Sequence, residues 1–199
     1  MKNKNYSSIF RIVHWAIAIC MFLILITIFL RLTWMNKDHV AGIVQNYLTS
    51  VNLSLSQDQA IVLAKEIRKP MWNWHIYLGY VLTGLFCLRL TLHFLSRMRF
   101  SNPLEKLLSS KEKFQYWVYM VFYVCAAISL ITGLIIELGP KSFKSTTEGI
   151  HVLSIYYLLA FIIIHLGGVI LAEFTDQQGI VSRILSGSRK TKEITSTFA

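Results

Sequence analysis

The chain has 199 residues, of which 54% are hydrophobic and 15% charged, with three prolines and a formal net charge of +10. That balance excludes an ordinary soluble globular domain. The basic excess does not argue for nucleic acid either, because Lys and Arg sit in short segments flanking apolar runs, where they set orientation in a membrane.

Four apolar stretches, each of about 20 residues and so long enough to cross a bilayer, predict helices over 11–32, 74–95, 115–137 and 150–172. The expected fold class is all-α, a transmembrane four-helix bundle, with residues 1–199 forming one integral-membrane domain. The first run extends from Ile12 to Leu30, longer than a signal-peptide core, with no small-x-small cleavage site after it, and is read as a retained helix. Between Asn36 and Met71 lies the one long connection. There Ser56 and Gln59 have capping-box spacing ahead of Ala60, Ile61, Leu63, Ala64 and Ile67, predicting a short amphipathic periplasmic helix stopped by Pro70. Such a helix would rest on the bundle mouth or offer a docking face to a partner. The third span has no histidine and is read as scaffold. After Phe174, Ile180, Val181, Ile184 and Leu185 alternate with Arg183 and Arg189, predicting a short interfacial helix in a tail, 176–199.

Basic residues are unevenly shared between the two sides. Lys2, Lys4, Arg11, Arg97, Arg99, Lys106, Lys111, Lys113, Arg183, Arg189, Lys190 and Lys192 flank one side, against Arg31, Lys37, Lys65, Arg68, Lys69, Lys141 and Lys144 on the other. The positive-inside rule then places both termini, including the tail, in the cytoplasm of a bacterial inner-membrane protein. Cys20, Cys87 and Cys125 all fall within apolar runs without a CxxC or CxxCH pattern, which argues against zinc, a disulfide framework and covalently attached haem.

The histidines carry the chemistry. His151 and His165 are fourteen positions apart, about 3.9 helical turns, so they share a face within roughly 40° at depths roughly 21 Å apart. His14 opens the first span at the depth of His165, and His75 opens the second at the depth of His151. One intramembrane histidine is most simply a hydrogen-bonded core residue, but four at two matched levels point to a flat macrocycle held by an axial imidazole on each face. The reading is two b-type haems, ligated by His14 with His165 and by His75 with His151. With both axial positions filled, outer-sphere electron transfer is favoured over oxygen chemistry, and no separate catalytic residue is assigned. Arg11, one turn before His14, and Arg89, fourteen residues after His75, are candidate propionate partners at the cytoplasmic level. Lys141, Lys144, Trp72 and Trp74 are available at the periplasmic level. Gly79 and Gly133 would let a macrocycle approach the backbone, although small residues at helix crossings serve packing as well. His39 and His93 are not assigned as ligands; His93 is an interfacial residue or lines a quinone pocket. Glu173 and Asp176 are candidate proton donors to quinone.

The motifs "RIVHW" at 11–15, "HIYLG" at 75–79 followed by Arg89, "LITG" at 130–133 and the His151 to His165 interval resemble, in that order, the bacterial cytochrome b561 and nickel-iron hydrogenase b-type cytochrome family. The resemblance covers all four spans. It implies a dihaem membrane cytochrome that passes electrons between a periplasmic donor and the quinone pool, with His14, His75, His151 and His165 as ligands. The tail "GIVSRILSGSRK" is similar to the hydrogenase-associated branch, whereas the small size is similar to the superoxide-oxidising branch. Where the family often has Thr-Gly, this chain has Thr27 and Ile28, a bulkier side chain on the His14 face.

Two further function classes compete with an electron-transfer subunit serving a periplasmic redox protein, a hydrogenase or a dehydrogenase. One is a superoxide oxidase, with Lys65, Arg68, Lys69, Lys141 and Lys144 steering the anion toward the membrane. The other is a haem-free scaffold or transporter. Membrane lipid and quinone are the expected small partners, and an oligomer is compatible with the sequence.

Overall fold

The computed structural model describes residues 8–95, 109–175 and 179–186. Lys2, Lys4, Arg97, Arg99, Lys106, Asp176, Arg189, Lys190 and Lys192 lie outside them. The described residues form α1 (Ser8–Leu32), α2 (Lys37–Ser50), α3 (Gln57–Phe94), α4 (Ser110–Leu138), α5 (Lys141–Val152), α6 (Ser154–Phe174) and α7 (Ile180–Ser186), with no strand among them. The fold class is all-α. Helices α1, α3, α4 and the α5–α6 pair are long and apolar enough to cross a membrane. Their large apolar side chains are turned outward, with Phe22 63%, Ile163 71% and Phe174 79% exposed, which suits lipid and would be untenable in water.

The chain divides into two compact units, one from Ala16 to Thr91 and the other comprising residues up to Trp15 and from Leu92 onward. In the first, the long connection contains α2 in addition to the expected amphipathic helix. Asn36 caps α2 by accepting from the Asp38 amide at 2.9 Å, and Asp38 adds an acidic group to the first turn, where the helix dipole favours it. Ala41 of α2 is fully buried with Ala60 and Ala64 of α3, and Val40 and Ile61 pack around them. Alanine at all three positions lets the two backbones approach closely.

The predicted capping box opens α3: the Ser56 amide donates to Gln59 Oε1 at 3.0 Å and the Gln59 amide to Ser56 Oγ at 3.3 Å. Pro70 does not stop this helix, which continues unbroken from Gln57 to Phe94 and merges the amphipathic segment with the second span. A proline interior to a helix removes one backbone hydrogen bond and costs about 3 kcal/mol. Good helix formers on either side, Ala64, Lys65, Glu66, Lys69 and Met71, offset that cost.

In the second unit, α4 starts earlier than its apolar run because Ser109 and Glu112 form a complete capping box, a device that contributes about 1 kcal/mol. The fourth span also begins early, at Lys141, and is interrupted at Leu153, whose amide bonds three residues back to the Ile150 carbonyl at 3.2 Å. His151 and His165 therefore stand on different helices, α5 and α6, and the regular-helix arithmetic does not run straight through the interval. Helix α4 packs on α6 through Phe122 and Phe161, stacked at 3.7 Å between centroids, and through a hydrogen bond joining the Ser129 and Ser154 hydroxyls. The predicted interfacial helix is α7.

Candidate functional site

Each of the four sequence-predicted histidines is half-buried and held by named neighbours. In the unit from Ala16 to Thr91, His75 Nδ1 lies 2.8 Å from Thr27 Oγ1, and that hydroxyl donates its own proton to the Ile24 carbonyl at 2.6 Å. The threonine oxygen can then only accept, so Nδ1 of His75 carries the hydrogen and Nε2 carries the lone pair. Trp72 stacks on the imidazole at 4.5 Å with planes 6° apart.

The other unit repeats the device. His151 Nδ1 lies 3.0 Å from the Ser129 carbonyl and 3.1 Å from Thr132 Oγ1. Thr132 donates back to the carbonyls of Ile128 and Ser129, at 2.8 and 3.0 Å. A carbonyl accepts only, so His151 likewise presents Nε2 as its basic nitrogen. Gly133 makes this approach feasible, since a Cβ there would lie 3.1 Å from His151 Cε1. Thus the helix without histidines is more than scaffold: α4 supplies the groups that orient His151.

His14 and His165 are brought together within this unit, with ring centroids 6.1 Å apart and planes inclined at 54°. Phe10 and Trp15 flank His14, at 6.3 and 5.8 Å. Phe161 stacks on His165 at 5.4 Å, and Tyr119 Oη lies 3.3 Å from its Nδ1. Arg11 Nη1 donates to the Leu185 carbonyl at 3.2 Å and Nη2 to Ser8 Oγ at 3.3 Å, while the buried Nε has no hydrogen-bond partner among the described residues. Trp15 Nε1 donates to the Ile184 carbonyl at 3.4 Å, so the end of α7 is tied to the His14 turn.

Arg89 is half-buried on α3, and a Cβ added at Gly79 would meet nothing within 4 Å. His93 contacts Phe94, and His39 is exposed. Glu173, the candidate proton donor, is held by two amides: Oε1 accepts from the Gly179 amide at 2.8 Å and Oε2 from the Val181 amide at 3.1 Å. It caps the amino-terminal end of α7, where an anion is stabilised. Asp176 lies outside the described residues.

Four membrane-length helical stretches, three of them carrying half-buried histidines, with His75 and His151 in the tautomer that exposes Nε2, fit one class of protein, the helical membrane cytochromes. The family model for prokaryotic cytochrome b561 matches residues 5–187, and the chain belongs to that family. It is accordingly a multi-pass inner-membrane b-type cytochrome of electron transfer. No match to a curated protein or to a solved structure is found.

The residues fit the haem that this family binds. Two imidazoles on opposite faces of one iron, with metal–nitrogen bonds of about 2 Å and about 1 Å from nitrogen to ring centre, place their centroids roughly 6 Å apart. The observed separation of His14 and His165 meets that requirement.

Thr27, Thr132, Ser129 and Tyr119 are the residues that sequence reasoning missed. Thr132 stood inside the quoted "LITG" motif and Thr27 beside Ile28, so a signal existed in the paired threonines, but not the identity of their partners.

Proposed function

We propose that this cytochrome holds two b-type haems, with His14 and His165 as the axial ligands of one and His75 and His151 of the other. It carries electrons between a periplasmic donor and the quinone pool of a respiratory chain. The observation that carries the reading is the 6.1 Å separation of the His14 and His165 rings. The second pairing rests on the sequence depths of His75 and His151, supported by the shared hydrogen-bond device that gives each an Nε2 lone pair.

A haem with both axial positions filled supplies one-electron transfer without binding oxygen. The protein's task is then to fix its ligands, shield them from water and compensate charge. Arg11, with a buried Nε lacking a partner among the described residues, and Arg89 are the cations assigned to propionates at the His14/His165 level. The charge distribution of the sequence places this level, both termini and α7 on the cytoplasmic side, and α2 on the periplasmic side. The chain acts as one domain and as the membrane subunit of a larger oxidoreductase, receiving electrons at the His75/His151 level.

The test is haem stoichiometry by pyridine haemochrome in purified protein, followed by oxidation of the dithionite-reduced protein with decylubiquinone. Two haems per chain, one in His165→Ala, and oxidation by the quinone are expected. Two haems retained in His165→Ala would overturn the ligand assignment, and failure to oxidise would overturn the quinone link.

A further inference from the structure

A basic cavity of about 190 Å³ opens within the unit from Ala16 to Thr91, lined by Arg31, Lys65, Arg68, Lys69, Met71 and Trp72. Four of its six lining residues are cationic and none is acidic. Glu66 pairs with Lys69 at 3.2 Å, but both side chains are more than 60% exposed, so solvent weakens that compensation. Like charges gathered around one concavity repel unless an anion joins them.

The cavity is joined to a predicted haem ligand by direct contact. Arg31 Cζ lies 4.1 Å from the centroid of the Trp72 ring, and the same ring stacks on His75 at 4.5 Å. The indole thus contacts both the guanidinium and the imidazole. The plane of an axial imidazole contains the iron–nitrogen bond, so its stacking direction runs parallel to the macrocycle face. A haem ligated by His75 with its propionate edge on the Trp72 side would therefore bring its carboxylates toward Arg31. Arg68 lines the same cavity, its Nη1 donating to the Met35 carbonyl at 3.4 Å, and a planar guanidinium fork is suited to carboxylate.

We propose that Arg31 and Arg68, assisted by Lys65 and Lys69, bind the propionate carboxylates of the haem ligated by His75, with Trp72 as the spacer that sets Arg31 at the rim. This extends the ligand assignment above and rests on it. It replaces Lys141 and Lys144 with cations on the helices that carry Thr27 and His75.

The experiment compares wild type with Arg31→Gln, Arg68→Gln, the double variant and Arg31→Lys in the full chain. Readouts are haem content, the propionate bending bands in resonance Raman spectra, and reductive titration. Both haems should be kept in the single variants while the propionate bands of one haem shift. Loss of a cation favours the oxidised iron, so the same haem's midpoint should fall, by a roughly tenfold change in its reduction equilibrium in the double variant, about 59 mV for one electron. Arg31→Lys should restore much of both signals, which a general loss of packing would not allow. Unchanged bands and midpoints in Arg31→Gln and Arg68→Gln would overturn the proposal while leaving the ligand assignment intact. Native mass spectrometry with added phosphatidylglycerol supplies the competing outcome: loss of bound lipid in the variants with unmoved haem bands assigns the cavity to a lipid phosphate and also overturns it. If His75→Ala keeps both haems, the ligand assignment itself fails, and that result is read from stoichiometry alone.

Discussion

Thr27 Oγ1 sits 2.8 Å from His75 Nδ1 while donating its own proton to the Ile24 carbonyl, so one hydroxyl on α1 decides which nitrogen of a histidine on α3 is basic. Outer partners of this kind typically change metal affinity about 10- to 100-fold when removed. Thr27→Val keeps the shape and deletes the acceptor. We expect weaker retention of one haem and a shifted midpoint for it, with the other haem unaffected; spectra resolved by potentiometric titration would reveal equal effects on both if the idea is wrong.

Gly133→Ala tests the same principle sterically. The added methyl would stand 3.1 Å from His151 Cε1, so the ring must yield by a few tenths of an ångström, against its bonds to Ser129 and Thr132. A loss of about 1–3 kcal/mol in stability is expected from overpacking. Electron paramagnetic resonance of the oxidised protein should show altered g-values for one low-spin centre, and an unchanged spectrum would argue that the His151 ring is not a ligand.

His14→Ala and His165→Ala should remove the same haem, since their rings face each other at 6.1 Å. Their effects must then be non-additive, with the double variant retaining as much haem as either single one. Loss of different haems in the two single variants, read from their midpoints, would separate the pair.

Ala64→Leu is directed at the contact between α2 and the first turns of α3, ahead of the apolar run 74–95. Ala41, Ala60 and Ala64 are fully buried, leaving no room for a longer side chain. The expected penalty is about 1–3 kcal/mol, with faster proteolysis in α2 and unchanged haem content. Resistance equal to wild type would mean that α2 and α3 part readily.

Superoxide as the electron donor is tested by stopped-flow mixing with the purified oxidised protein. As an electron-transfer subunit, the protein should show haem reduction no faster than a control containing superoxide dismutase. Dismutase-sensitive reduction on the mixing timescale would instead place the protein in the superoxide-oxidising class.

Legibility in the sequence followed the range of the interaction concerned. The apolar runs revealed the four spans because length and hydropathy are local properties, and the Ser56/Gln59 box marked the start of α3 for the same reason. Pro70 misled because a proline reports its own missing donor and not the strength of the helix around it. Helix α2 is not anticipated although Asn36 and Asp38 mark its cap and Val40, Val44 and Leu48 recur at helical spacing; at fourteen residues it is too short to stand out beside the membrane-length runs. The interruption at Leu153 has no glycine or proline to mark it. Residue types and spacing selected the histidines, whereas Thr27 and Thr132 acquire meaning only when another helix is brought within hydrogen-bond distance.

The unbroken course of α3 through Pro70 has a mechanical consequence. A jointed connection would isolate His75 from whatever touches the α2–α3 hairpin, but here His75 is five residues beyond Pro70 on the same rod that α2 grips through Ala60 and Ala64. A protein seated on α2 would therefore press on the same rigid helix that carries His75, so that contact with the hairpin and the setting of that imidazole would be mechanically joined.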